Sequence, residues 1–250
     1  MTRPFFKTRS CVPDVLCSAA LVRAPATPAD AAADTAATTT GNGSRGAETR
    51  DVIVVPINNE RNLRYSDWEY TRRLAVEERG EGRIGYVHLR AMGGNDITAW
   101  YRQFYPVFNR EGLIIDVRRN NGGNIDSFIL EKLMRRAWMY WQERVGQPTW
   151  NMQFAFRGHM VIVVDQNTAS DGEAIAEGFR RLGLGTVIGM RTWGGEVWLG
   201  SSNRLTDNGL ARAPSMGVYG EDRDWLIEQI GVIPDIVVDN PPRATFGGAD

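Results

Sequence analysis

The chain has 250 residues and a mass of 27.9 kDa, and 42% hydrophobic residues suffice for one sizeable core and a smaller appendage. Its 29 Lys and Arg nearly cancel 30 Asp and Glu, so the balance carries no electrostatic footprint for nucleic acid or an anionic membrane surface. Cys11 and Cys17 both lie near the amino terminus, no Cys/His cluster has zinc-site spacing, and no apolar run approaches the roughly 18 residues of a membrane span. The sequence therefore predicts no metal, no cofactor and no membrane span, and it favours peptides or small molecules as partners.

At the front, Arg3, Lys7 and Arg9 precede an apolar patch over 15–22 and then Ala24-Pro25-Ala26, the order of parts in a secretory signal. Pro13 and Asp14 interrupt it and Arg23 follows closely, so a leader without signal function is the better reading, and location in the cytoplasm or outside it stays open. Residues 24–49 are almost entirely Ala, Thr, Pro, Asp, Gly and Ser, which bury too little apolar surface to offset chain entropy. Residues 1–49 are thus expected to be a disordered leader and linker. A β-branched strand follows over 51–56, and then Trp68, Tyr70, Leu74 and Val76 recur near helical spacing over 65–78, behind Ser66 as an N-cap.

From Arg83 onward, apolar strands alternate with helices. Strands are expected over 84–89, 113–117 and 160–164, each followed by a helix, over 96–108, 125–140 and 170–182. A further strand starts at 187, and 195–210 reads as a hairpin. That alternation predicts an α/β core over 83–240 with a mostly parallel sheet covered on both faces, followed by a tail over 241–250.

Ser170 stands where the strand over 160–164 turns into a helix. Open α/β sheets place ligands at this carboxyl edge, and a helix N-terminus favours negative charge developing there. A serine in that place also serves as a plain N-cap. The neighbouring strand runs into Arg118-Arg119-Asn120-Asn121-Gly122-Gly123-Asn124, whose paired glycines free backbone N–H groups to turn toward a ligand, as half of an oxyanion hole does. Alone, such a pair is more often only a tight turn.

Taken together, D-V-R-R-N-N-G-G at 116–123, N-T-A-S-D-G-E at 167–173, I-G-M-R-T-W-G-G at 188–195 and W-L-I-E-Q-I-G-V-I-P-D at 225–235 resemble the tail-specific serine peptidases, above all the tricorn-like ones. With R-I-G-Y-V-H-L at 83–89 in front, order and separation agree over about residues 50–240. The resemblance implies a ClpP/crotonase-like fold of repeated strand-strand-helix units with Ser170 as nucleophile. It implies that the backbone N–H of Asp171 and one from the Gly122-Gly123 turn form the oxyanion hole. It also implies that Glu228, expected on a C-terminal strand, is the acid that acts through a serine on the catalytic histidine. A serine hydroxyl needs a base to take its proton, and that base needs a third group to hold its tautomer, so these roles form one device.

The histidine is what does not fit. In the tricorn-like family it belongs to a small domain ahead of a PDZ domain, and residues 50–82 read as the end of that PDZ domain plus a linking helix. The base and the N-terminal domains of a longer parent are accordingly expected to be missing. His88 inside one strand and His159 before another read as packed residues, and neither Lys7 nor Lys132 occupies the tail-specific lysine position. Trp193 reads as a loop anchor, and Trp138, Tyr140, Trp141 and Trp150 as packing around a loop. The expected activity is hydrolysis of peptide bonds in peptides or unfolded protein ends, with a homo-oligomer left open. Two other readings remain: a non-catalytic peptide-binding module, and an acyl-CoA enzyme of crotonase type, because fold alone does not fix function.

Overall fold

The computed structural model describes residues 20–25, 49–54 and 58–246, and the chain divides into two units, residues 1–66 and 67–250. In the first, β1 (Ala20–Pro25) pairs antiparallel with β2 (Thr49–Val54), so part of the stretch read as a disordered leader and linker forms a strand against the one expected over 51–56. Most of the apolar patch, nearly all of the low-complexity stretch and the end of the strand expected over 51–56 lie outside the described residues. The helix expected over 65–78 is α1 (Arg61–Arg79).

The second unit is built on strand-helix alternation. Its elements run β3 (Ile84–His88), α2 (Gly94–Phe104), β4 (Gly112–Asp116), α3 (Asp126–Met134), β5 (Tyr140–Trp141), β6 (Thr149–Trp150), β7 (His159–Val164), α4 (Asp171–Arg181), β8 (Thr186–Gly189), β9 (Trp198–Leu199), β10 (Pro214–Met216) and β11 (Ile236–Val237). Five strands form a parallel sheet in the order β11-β8-β7-β4-β3. Alternate strand residues point to one face, and there Val87, Leu113, Ile115, Ile162 and Val187 meet Trp100 and Phe104 of α2, Ile129 and Leu133 of α3, and Ile175 and Phe179 of α4. Trp100 and Phe104, one helical turn apart, stack at 4.6 Å, and truncating either to Ala is expected to cost about 3–5 kcal/mol. β3 is an edge strand, and the Gln103 side chain stands in for a neighbour, accepting from the His88 N–H and donating to the His88 carbonyl.

Parallel pairing sets His88 beside Asp116, Asp116 beside Val163 and Val164 beside Gly189, so the loops after β3, β4, β7 and β8 all gather at one edge of the sheet. That edge carries the site.

Two expectations are corrected. The helix over 125–140 stops at Met134, where Arg135 becomes extended. The Asn151 side chain accepts from the N–H groups of Trp138 and Met139, which takes those donors out of any helix, and Tyr140 and Trp141 pair with β6 instead. The hairpin expected over 195–210 begins later and reaches further, as β9 paired with β10. The peptide groups just before it, at Gly194 and Gly195, donate to a buried side chain rather than to a strand.

Candidate active site

β7 ends at Val164, and the chain turns back through Asp165 and Thr168 before α4 begins. Thr168 is buried and its hydroxyl donates to the Val117 carbonyl beyond β4 at 2.8 Å, while the Asp165 carboxylate accepts the Arg119 N–H at 2.9 Å. These bonds hold the loop that ends in Ser170 against the loop that holds the glycines. Ser170 adopts φ 54° and ψ −129°, a left-handed region that a side chain enters at a strain of about 1–3 kcal/mol. Its hydroxyl makes no capping hydrogen bond, because the Glu173 N–H goes to the Ser170 carbonyl at 2.6 Å. Ser170 therefore starts the helix without its hydroxyl being consumed as a cap.

Gly122 lies against it. At φ 89°, its backbone is in the region that favours glycine, and a Cβ added there would stand 2.5 Å from Ser170 Cβ and 2.9 Å from Ser170 Oγ. Gly123 bridges to Met92, with a would-be Cβ 1.9 Å from the Met92 carbonyl oxygen. Buried Asn120 organises the turn: its Nδ2 donates to the Leu89 carbonyl, its Oδ1 accepts the Gly122 N–H at 2.9 Å, and its own carbonyl accepts the Ala169 N–H. The Gly122 N–H is thereby occupied. Among the described residues, the N–H groups of Gly123 and Asp171 have no acceptor.

Asp171 also contributes its side chain. Oδ2 accepts the N–H groups of Ile125 and Asp126 at 2.7 and 3.1 Å, which caps α3 and locks the glycine turn to the serine turn. Burial pushes this carboxyl up to about 7 against those hydrogen bonds, and the neighbouring Asp126 adds to the rise.

Glu173, given no role by sequence reasoning, is the hub of the site. It is fully buried; Oε1 accepts from the Thr192 hydroxyl and, at 2.7 Å, from Gly194 N–H, while Oε2 accepts from Gly195 N–H and Ser170 N–H, both at 3.0 Å. The signal for it was the Ser-x-x-Glu spacing of a capping box, whose glutamate reaches back to the N-cap amide.

Glu228 occupies a turn rather than the strand expected for it, between Ile227 and Gln229, which both have positive φ. The Ile230 and Gly231 N–H groups bond the Ile227 carbonyl to close the turn, and the Gln229 N–H bonds the Gly194 carbonyl at 2.8 Å, which holds the segment against the loop before β9. Glu228 Oε2 then accepts the N–H groups of Glu196 and Val197 at 2.8 and 3.0 Å. It reaches the serine turn through that loop and makes no hydrogen bond to Ser170.

The histidines lie elsewhere. His88 is buried on β3, with Nδ1 3.7 Å from Asp116 Oδ1 and its ring edge-on to Trp68 at 5.1 Å. His159 is exposed at the amino end of β7, opposite the end that leads to Ser170.

Residues 83–238 match the model of a protein family described as "Peptidase family S41". The chain is 37% identical over 207 residues to tricorn protease homolog 1 of Streptomyces coelicolor, a match covering 83% of this chain and 19% of that protein. It is 34% identical over 206 residues to the tricorn protease of Thermoplasma acidophilum, covering 82% and 19% respectively. A crystal structure of the tricorn protease superposes with a TM-score of 0.74 at 33% identity, over 82% of this chain and 20% of that one. The chain spans about a fifth of the length of these relatives.

Proposed function

The chain belongs to peptidase family S41, and from that premise we propose that it carries the nucleophile half of a serine-type, tricorn-like peptidase, with Ser170 attacking the carbonyl carbon of a peptide bond. The observation that carries this reading is the pairing of an unconsumed Ser170 hydroxyl with two acceptor-free backbone donors, Gly123 and Asp171, at the same edge of the sheet. As Ser170 Oγ bonds to the carbonyl carbon, its proton passes to a base and the carbonyl oxygen gains negative charge, which those two N–H groups and the amino end of α4 stabilise. The C–N bond then breaks, the base returns the proton to the leaving amine, and water releases the acyl group from Ser170.

The base comes from outside this chain. His88 packs against Asp116 and Trp68 and His159 stands at the opposite end of β7, so this reading takes the imidazole from another segment or polypeptide, with Glu228 as the acid that acts on it through a serine. Peptides or unfolded protein ends are the substrates. Without a base, a serine site keeps only its oxyanion hole and binding, a loss of about 10⁴–10⁶ in rate. Peptide hydrolysis by the chain, with and without a histidine-bearing segment of a tricorn relative in trans, tests this. Turnover that needs both the segment and Ser170 is expected, and turnover that survives Ser170→Ala would overturn the reading.

A further inference from the structure

Glu196 has no part in the chemistry above, yet it is among the most confined carboxyls in the molecule. It follows Gly195 in the loop before β9, is only 5% exposed, and its Oε2 is buried with no hydrogen-bond partner among the described residues. Its acidic neighbours are treated differently. Glu173 takes four donors, Glu228 takes two on Oε2, and Asp171 takes two on Oδ2. An unmet buried carboxyl oxygen costs about 1–3 kcal/mol or more, so a ligand that supplies the missing donor is favoured there.

The charges acting most strongly on Glu196 are all negative: Asp171 and Glu173 from the first turn of α4, Asp126 from the first turn of α3, and Glu228 from the turn before β11. Glu196 is also next to the nucleophile, since the preceding residue's N–H and the Ser170 N–H bond the same oxygen, Glu173 Oε2. We propose that Glu196, through its unmet Oε2, is the acceptor of an acidic subsite beside Ser170 that takes the protonated amine of a bound peptide. An ammonium offers three donors and no acceptor, the complement of a set of carboxyl oxygens with one unmet member.

The subsite is coupled to protons. Burial, then the surrounding carboxylates, push Glu196 from an ordinary 4.5 up to about 8, so the empty subsite holds a proton at neutral pH. An arriving ammonium favours the ionised carboxylate and displaces that proton, so affinity for a lysine amine rises with pH through this range, whereas a peptide N-terminus loses its own proton at about pH 8. Two amines fit the chemistry, a lysine side chain and a peptide's own N-terminus.

Calorimetric titration of the purified chain with four short peptides distinguishes them: lysine or norleucine at one position, each with a free or an acetylated N-terminus. The acetylated norleucine peptide, which has no ammonium, is expected to bind about tenfold or more weaker than the best of the other three, a difference of about 1.4 kcal/mol. The stronger arm identifies the amine. Glu196→Gln is expected to abolish the preference, and in the unsubstituted chain the Glu196 carboxyl resonance is expected to titrate at lower pH once peptide is bound, a readout that stands even if the variant does not fold. Equal binding of all four peptides, no binding of any, or an undiminished preference in folded Glu196→Gln would overturn the subsite. The inference rests on the peptidase reading for the peptide alone. Because the titration needs no base and no turnover, a preference without Ser170 reactivity even when a histidine-bearing segment is supplied would fault the nucleophile, and Ser170 reactivity without a preference would fault only the subsite.

Discussion

The carboxyl edge of the sheet and the excursions through β5–β6 and β9–β10 differ in what holds the chain. At the edge, backbone N–H groups are pinned by buried side chains, with Asn120, Asp171 and Glu173 each holding two or more segments. In the excursions, strands are two or three residues long and aromatic rings stand in solvent, Trp138 at 75% and Trp225 at 70% exposure. The difference is whether a buried polar group meets the backbone, and the site owes its definition to such groups.

The largest effect should follow the loss of the hub. Glu173→Ala leaves the N–H groups of Ser170, Gly194 and Gly195 and the Thr192 hydroxyl without their acceptor, and chemical denaturation should show a loss of about 3 kcal/mol or more. Next comes Gly122→Ala. It adds a methyl group 2.5 Å from Ser170 Cβ at a positive φ, and a loss of about 1–3 kcal/mol with displacement of the serine should appear in denaturation and in Ser170 reactivity together. Should Gly122→Ala leave both unchanged, the close approach of the two turns is not what defines the site.

A smaller effect depends on pH. Glu196 is raised to about 8 and Asp171 to about 7 in the fold, so the folded chain binds protons that the unfolded chain releases near pH 4. Their contribution to stability is complete at low pH and is lost as pH rises through about 7 and 8. Glu196→Gln should therefore be more stable than the unsubstituted chain at about pH 9 and should flatten the decline in melting temperature between about pH 5 and pH 9. The smallest effect is expected in the excursions, where Trp138→Ala should stay within about 0.5 kcal/mol of the unsubstituted chain. A loss there as large as that of Glu173→Ala would erase the contrast between the regions.

What could be read in advance follows the same division. The strands of the core, the serine turn and the glycine turn are written in local signals: continuous apolar runs, a strand-to-helix junction and paired glycines. The end of α3 at Met134 was not legible, because the donors that leave the helix are claimed by Asn151, well downstream. Glu228 was recognisable in its motif but not its setting, since the contact with Gly194, distant in sequence, holds that turn against the loop before β9. Glu173 was half legible as the fourth residue of a capping box, whereas nothing local marks Glu196, whose burial and acidic surroundings exist only in the folded chain.

The central claim, a built serine site that awaits its base, is tested most directly by locating a fluorophosphonate adduct by mass spectrometry, with the chain alone and with a histidine-bearing segment supplied. Modification confined to Ser170 and strongly accelerated by the added segment is the expected result. Equally rapid modification of the chain alone, abolished by His88→Ala or His159→Ala, would contradict the account, and modification at any other serine would remove Ser170 from its centre.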